Sequence, residues 1–84
     1  MTSVEIYTTA TCSYSHAAKQ LLRKKGVKYT EIAVGADPDS RRAMVKRAGG
    51  SRTVPQIFIG GKHIGGCDEL HALDHEGGLD PLLT

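Results

Sequence analysis

Apolar and polar positions divide the chain into short strands and three helices. Val4-Glu5-Ile6-Tyr7 reads as a strand, and the Thr-rich run at residues 8–11 ends it. Over residues 13–25 the apolar positions Ala17, Ala18, Leu21 and Leu22 form one stripe of a 3.6-residue helix. Lys19, Arg23, Lys24 and Lys25 fill the rest, three of them at the C-terminal end, where the helix dipole favours cations. Gly26 stops this helix, and residues 27–34, with Val27, Tyr29, Ile32 and Val34, are expected to form a second strand. Asp37-Pro38 is a helix start, with Asp at the N-cap and Pro at the first helical position. That helix is expected to reach about Ala48 and stop at Gly49-Gly50. Gln56-Ile57-Phe58-Ile59 is the clearest strand, and Gly60-Gly61 is a hairpin turn into Lys62-His63-Ile64. Gly65-Gly66 breaks that strand. Asp68 or Cys67 is then expected to cap a helix from Glu69 to about His75, with Leu70 and Leu73 buried. Gly77-Gly78 closes it, and residues 79–83 pack as a last turn.

The order β-α-β-α-β-β-α predicts an α/β, thioredoxin-like fold: a four-stranded mixed sheet with helices on both faces. The first two strands, joined by a helix, form a right-handed parallel unit. With 84 residues and no long linker, residues 1–84 are expected to be one domain. No apolar run approaches a membrane span, and the start Met1-Thr2-Ser3-Val4-Glu5 lacks the basic and apolar parts of a leader. Met1 is read as the initiator. Secreted domains this small usually carry several disulfides, whereas this chain has two cysteines far apart. A cytoplasmic location is therefore expected. The net charge of +2 is too small to imply a nucleic-acid partner by itself.

Cys12 sits where the first strand meets the first helix. Unpaired N–H groups and the positive end of the dipole favour a negative charge there, and a thiolate is such a charge. A lone cysteine is more often a buried, inert residue. Against that stand the polar turn Ser13-Tyr14-Ser15 and the lack of apolar neighbours around Cys12.

Several segments resemble the signature segments of bacterial glutaredoxins. They are Val4-Glu5-Ile6-Tyr7-Thr8, Thr11-Cys12 with Tyr14, Thr53-Val54-Pro55-Gln56-Ile57-Phe58-Ile59 and His63-Ile64-Gly65-Gly66-Cys67-Asp68. The ending Gly77-Gly78-Leu79-Asp80-Pro81-Leu82-Leu83 is similar to the glutaredoxin 3 type, so the resemblance spans essentially the whole chain. It implies a glutathione-dependent thiol–disulfide oxidoreductase, with glutathione as cosubstrate and no metal. Cys12, Tyr14 and Ser15 become the catalytic group, and Tyr14 also lines the glutathione site. In the Thr53-Val54-Pro55 segment, the family pairs the backbone of the residue at Val54 with the cysteinyl part of glutathione, and its proline is cis. Gly66, Cys67 and Asp68 match the segment that holds the γ-glutamyl end, Cys67 through its N–H and Asp68 through its carboxylate. Arg42 stands where a Gln or Arg reaches the glycine carboxylate. The implied partners are glutathione and glutathionylated proteins, with no nucleic acid and no membrane, and the chain is expected to be a monomer.

Two positions depart from the family pattern. A lysine normally precedes the reactive cysteine by three residues, and Thr9 stands there. The family's Cys-Pro-Tyr-Cys is here Cys12-Ser13-Tyr14-Ser15, so serine replaces the resolving cysteine. A serine hydroxyl does not attack a mixed disulfide at neutral pH. The dithiol route is thus expected to be lost, leaving a one-sulfur exchange with glutathione.

Other readings fit less well. Some single-cysteine members of the family bridge an iron–sulfur cluster, but their usual Cys-Gly-Phe-Ser is absent. Cys67, His71 and His75, spaced by four, could share a helix face as zinc ligands, yet no fourth ligand is evident. Arg41, Arg42, Lys46 and Arg47 make the second helix basic, as do Arg23, Lys24, Lys25 and Lys28 at the end of the first. With three Tyr and one Phe there is no stacking platform for nucleic acid, so these read as solvated faces. Cys67 is read as a packing residue, with an additional redox role as the alternative.

Overall fold

The computed structural model describes residues 2–35 and 37–83; Met1, used above to read the N-terminus, lies outside them. The described elements are β1 (Val4–Thr8), α1 (Ser13–Lys24), β2 (Thr30–Ala33), α2 (Pro38–Arg47), β3 (Gln56–Ile59), β4 (Lys62–Gly65), α3 (Cys67–His75) and α4 (Leu79–Leu83). One sheet runs in the order β2-β1-β3-β4. β1 pairs in parallel with β2, Tyr7 opposite Ile32, and antiparallel with β3, Ile6 opposite Ile57. β3 and β4 form an antiparallel hairpin through Gly60-Gly61. Their φ values of 59° and 81° are the left-handed pair that a two-residue hairpin turn requires.

Alternation along β1 and β3 sorts the core into two layers. Val4, Ile6, Ile57 and Ile59 meet Ala18, Leu21 and Leu22 of α1, Leu70 of α3 and Leu79 of α4. Tyr7 and Phe58 face the other way, onto Met44 and Ala48 of α2. Helices therefore cover both faces of a mixed four-stranded sheet, as the order of elements predicts.

The element ends differ from the sequence reading in several places: β1 includes Thr8, which pairs with Ala33, and β4 includes Gly65, which pairs with Ile57 instead of breaking the strand. β2 covers four residues rather than the whole of 27–34, because Val27 serves the end of α1. Its N–H bonds the Leu22 carbonyl at 3.3 Å while Gly26 N–H bonds Arg23 at 2.9 Å, the paired bonds of a helix closed by a left-handed glycine. α3 begins at Cys67 with Gly66 at the cap position, not behind a Cys67 or Asp68 cap. The Glu69 carboxylate, three residues on, accepts the Gly66 N–H at 2.7 Å, the second half of a capping box, and no cap side chain accepts the first N–H groups of α3. At the start of α2, Asp37 caps as predicted, accepting the Asp39 N–H at 3.0 Å.

Two charged clasps hold the layers. Arg47, at the end of α2, forks onto Glu5 at 3.1 and 3.3 Å and donates to the Tyr7 hydroxyl at 2.9 Å. Its guanidinium lies 4.0 Å from the Phe58 ring centre, so this member of the basic helix is engaged with the sheet. On the other face, Lys19 donates to Glu31 of β2 at 2.9 Å, and the Thr8 hydroxyl donates to the same carboxylate at 2.6 Å. The Thr8 hydroxyl and then Lys19 hold the Glu31 carboxyl below its ordinary range, against a smaller opposing effect of burial.

A carboxylate whose pKa is depressed on folding contributes stability above its unfolded pKa, and that contribution fades as pH falls through the folded one. Glu31→Gln is therefore expected to cost about 1 kcal/mol at pH 7, modest because Glu31 stays partly in water. The cost should vanish in acid, below the folded pKa. Urea unfolding of both proteins at neutral and acid pH checks this, and an equal cost at both would count against the clasp.

Candidate active site

β1 ends at Thr8, and a turn in which Cys12 N–H bonds the Thr9 carbonyl at 3.4 Å delivers Cys12 to the N-cap of α1. There Cys12 is extended, half-buried and unbridged. Burial pushes its pKa up, but the backbone N–H of Ser15, the Ser15 hydroxyl and the N–H of Tyr14 outweigh it, so the thiol ionises below the usual value of 9.0. As a neutral thiol, its Sγ donates to the Val54 carbonyl at 3.6 Å. Ser15 is wholly buried, and among the described residues its hydroxyl has no oxygen or nitrogen partner. What that hydroxyl can stabilise is the Cys12 sulfur once it carries charge.

Beside the sulfur lies a cavity of about 160 Å³, walled by Tyr14, by Thr53-Val54-Pro55 and by residues 66–69. Tyr14 is 62% exposed, unusual for a large apolar ring, and it forms the outer lip. The Val54–Pro55 bond is cis, as the family resemblance implies. Buried Gln56 pins the preceding loop: its amide donates to the Ser51 hydroxyl and to the Thr53 carbonyl, both at 2.9 Å. The Gln56 oxygen meets His63 Nε2 of β4 at 2.7 Å, so both ends of the side chain are engaged. On the opposite wall Gly65 has φ 123°, and a Cβ there would sit 2.8 Å from Glu69 Cγ. Only glycine lets Glu69 fold back over the start of α3.

Seven of the residues singled out from the sequence thus share one wall system: Tyr14, Thr53, Val54, Pro55, Gly66, Cys67 and Asp68. Cys12 joins them through Val54. Arg42 does not. It lies in a separate cavity of about 500 Å³ with Arg41, Val45 and Arg52, and its guanidinium pairs with Asp39 one turn back. Glu69 and Gln56, which fix the two walls, were not singled out from the sequence. Glu69 had a signal, the Gly-x-x-Glu spacing of a capping box with glycine in the cap place. Gln56 had none, since its partners Thr53 and His63 meet only in the folded sheet.

Cys67 is 8% exposed, and burial, followed by the charges of Asp68, Cys12 and Glu69, pushes its thiol pKa up. Its Sγ lies 3.4 Å from His71 Nδ1, which also meets the Cys67 carbonyl at 2.9 Å. Among the described residues no three His, Cys, Asp or Glu side chains are grouped to hold a metal ion, and His75 does not join this pair into such a group.

This fold recurs in known proteins. A family profile described as Glutaredoxin matches residues 4–64. Glutaredoxin 3 of Escherichia coli K12 is 57% identical over 83 residues, covering 99% of each chain. A buckwheat glutaredoxin–glutathione complex superposes with a TM-score of 0.89 at 35% identity, over 99% of this chain and 77% of that one. A glutaredoxin from Brucella melitensis, 51% identical, superposes with a TM-score of 0.84 over 96% of this chain and 87% of that one. The chain belongs to the glutaredoxin family of glutathione-dependent thiol–disulfide oxidoreductases, and within it to the glutaredoxin 3 type.

Proposed function

We propose that the chain reduces glutathione mixed disulfides with Cys12 as its only exchanging sulfur. The observation that carries this reading is the pairing of an ionisation-prone Cys12 with a buried serine, Ser15, where the family has a second thiol. The Cys12 thiolate attacks the glutathione sulfur of a glutathionylated protein. The Cys12–glutathione bond forms, the protein–glutathione bond breaks, and the protein departs as thiolate. A second glutathione thiolate then attacks the glutathione sulfur of that adduct, giving oxidised glutathione and the Cys12 thiolate. One glutathione thiol is oxidised and one protein cysteine is reduced, while the sulfur of the first glutathione stays at the disulfide level throughout.

The cavity beside Cys12 supports a peptide thiol of that shape. Val54 presents backbone for strand-like pairing with the cysteinyl part, next to Thr53 and Pro55, and Tyr14 covers the sulfur. The N–H of Cys67, with Gly66, faces the γ-glutamyl carboxylate at the start of α3, where dipole and free N–H groups favour an anion. Asp68, exposed at the same place, meets the ligand's ammonium. Arg42 reaches the glycine carboxylate by exchanging it for Asp39, which its exposed position allows. The reading extends to a cytoplasmic monomer, where two unbridged thiols such as Cys12 and Cys67 stay reduced.

Mixing the protein with oxidised glutathione is expected to add one glutathione, mapped by intact mass and peptide digestion to Cys12. Turnover of a small glutathione mixed disulfide should fall to background in Cys12→Ser; activity that survives there would end the proposal. Ser15→Cys is expected to add reduction of protein disulfides, measured with insulin, which the parent chain lacks. Alkylation of Cys12 by iodoacetamide, followed against pH, should titrate below an ordinary thiol. Ser15→Ala should move that titration upward, because one of the groups that favours the thiolate is gone, and an unmoved curve would remove Ser15 from the mechanism.

A further inference from the structure

Among the described residues, the cavity of about 500 Å³ on the flank of α2 is lined by Arg41, Arg42, Val45 and Arg52, all three arginines being exposed to solvent. Several cations elsewhere are matched by acids: Lys19 by Glu31, Lys25 by Asp74 and Asp80, Arg47 by Glu5. This cavity has three guanidinium groups and, among the described residues, no acid in its wall. Asp39 pairs with Arg42 from outside it, and among the described residues Arg41 and Arg52 have no ion pair. Arg41 instead leans on the Arg52 carbonyl at 3.5 Å, which brings the two cations to one rim. Like charges held together without counter-charge repel, and a ligand carrying several carboxylates relieves that.

The single glycine carboxylate of glutathione accounts for Arg42 and leaves two arginines without a task. Arg52 directly precedes Thr53, so the surplus charge borders the cavity beside Cys12. Half-buried Val45 gives the floor an apolar spot suited to the methylene groups of Asp and Glu side chains. We propose that this cavity docks an acidic stretch of the substrate protein flanking its glutathionylated cysteine. The inference rests on the reading of Cys12 as a deglutathionylating thiol, and it names the class of protein that this thiol serves best.

Two glutathionylated peptides that differ only in Asp and Glu against Asn and Gln beside the cysteine test it. At low salt kcat/KM is expected to be about three- to tenfold higher for the acidic peptide, as two partly exposed ion pairs allow. The preference should fade in about 0.5 M salt, which screens exposed charges. Arg41→Gln with Arg52→Gln should abolish it while turnover of the mixed disulfide of glutathione and 2-mercaptoethanol stays unchanged. Equal rates for the two peptides, or a preference that survives the double variant, would overturn the docking surface and leave the thiol chemistry standing. A second measurement does not depend on turnover: the same peptides with Ser for Cys, titrated into the protein while its backbone amides are followed by NMR. The acidic peptide is expected to shift Arg41, Val45 and Arg52, and the neutral one is not. Equal shifts from inorganic phosphate at matched ionic strength would mark a general anion site and defeat the proposal.

Discussion

β1 is hydrogen-bonded along both edges, to β2 in parallel and to β3 antiparallel, and Val4, Ile6, Tyr7 and Thr8 along it are all buried. A strand fixed in that way cannot shift by one residue without taking Val4 and Ile6 out of one core layer and Tyr7 out of the other. Its end is therefore a fixed point. From it a turn places Cys12 at the start of α1, whose own position is set by Ala18, Leu21 and Leu22 against the same strand. The chemistry needs the sulfur, the first N–H groups of α1 and the Val54 carbonyl within about one bond length of a productive arrangement. Three separate stretches of chain meet this requirement because the central pair β1–β3 positions all of them.

The walls beside the sulfur are loops, and loops need anchors of their own. Gln56 supplies one, binding Ser51 and Thr53 from inside the sheet with His63 behind it. Glu69 supplies the other, folded over Gly65 onto the Gly66 N–H. Both are polar side chains employed on backbone, which leaves the free N–H groups at the start of α3 facing the cavity. Arg47 keeps the opposite layer in register through Glu5, Tyr7 and the Phe58 ring, so α2 and its arginine-lined flank stay fixed relative to the sheet.

Much of this was legible in the residues. The stripe of α1, the Asp37-Pro38 start and the Gly60-Gly61 turn are local signals, and local physics decides each of them. The sulfur's place at a helix start follows from the same pattern. The strand after α1 was read too long because Val27 and Tyr29 are apolar for packing against the α1 layer, not for pairing, and sequence pattern does not separate the two uses. The sequence pattern suggests a cap side chain at Cys67 or Asp68, whereas α3 starts from a glycine with no cap side chain and Glu69 secures the Gly66 N–H. Arg42 illustrates another limit. Its spacing from Thr53 suited a site residue, yet the direction of an exposed arginine depends on a neighbour, Asp39, with which it competes. The gathering of Arg41 and Arg52 beside it had no linear signature, because eleven residues and a helix end separate them.

Ser15 gives the two halves of the exchange different characters. Its buried hydroxyl has a charge to bind only while Cys12 is a thiolate, and once the sulfur is bonded to glutathione that stabilisation is forfeited. The adduct thus lacks the hydroxyl's share, smaller than that of the Ser15 N–H, of what makes the free sulfur ionise. On the proposed one-sulfur route Cys12 is the departing sulfur when the second glutathione arrives, and a thiol of lowered pKa departs faster. On that route a hydroxyl that cannot itself take part in sulfur exchange helps the backbone N–H groups make Cys12 a better leaving group than an ordinary cysteine.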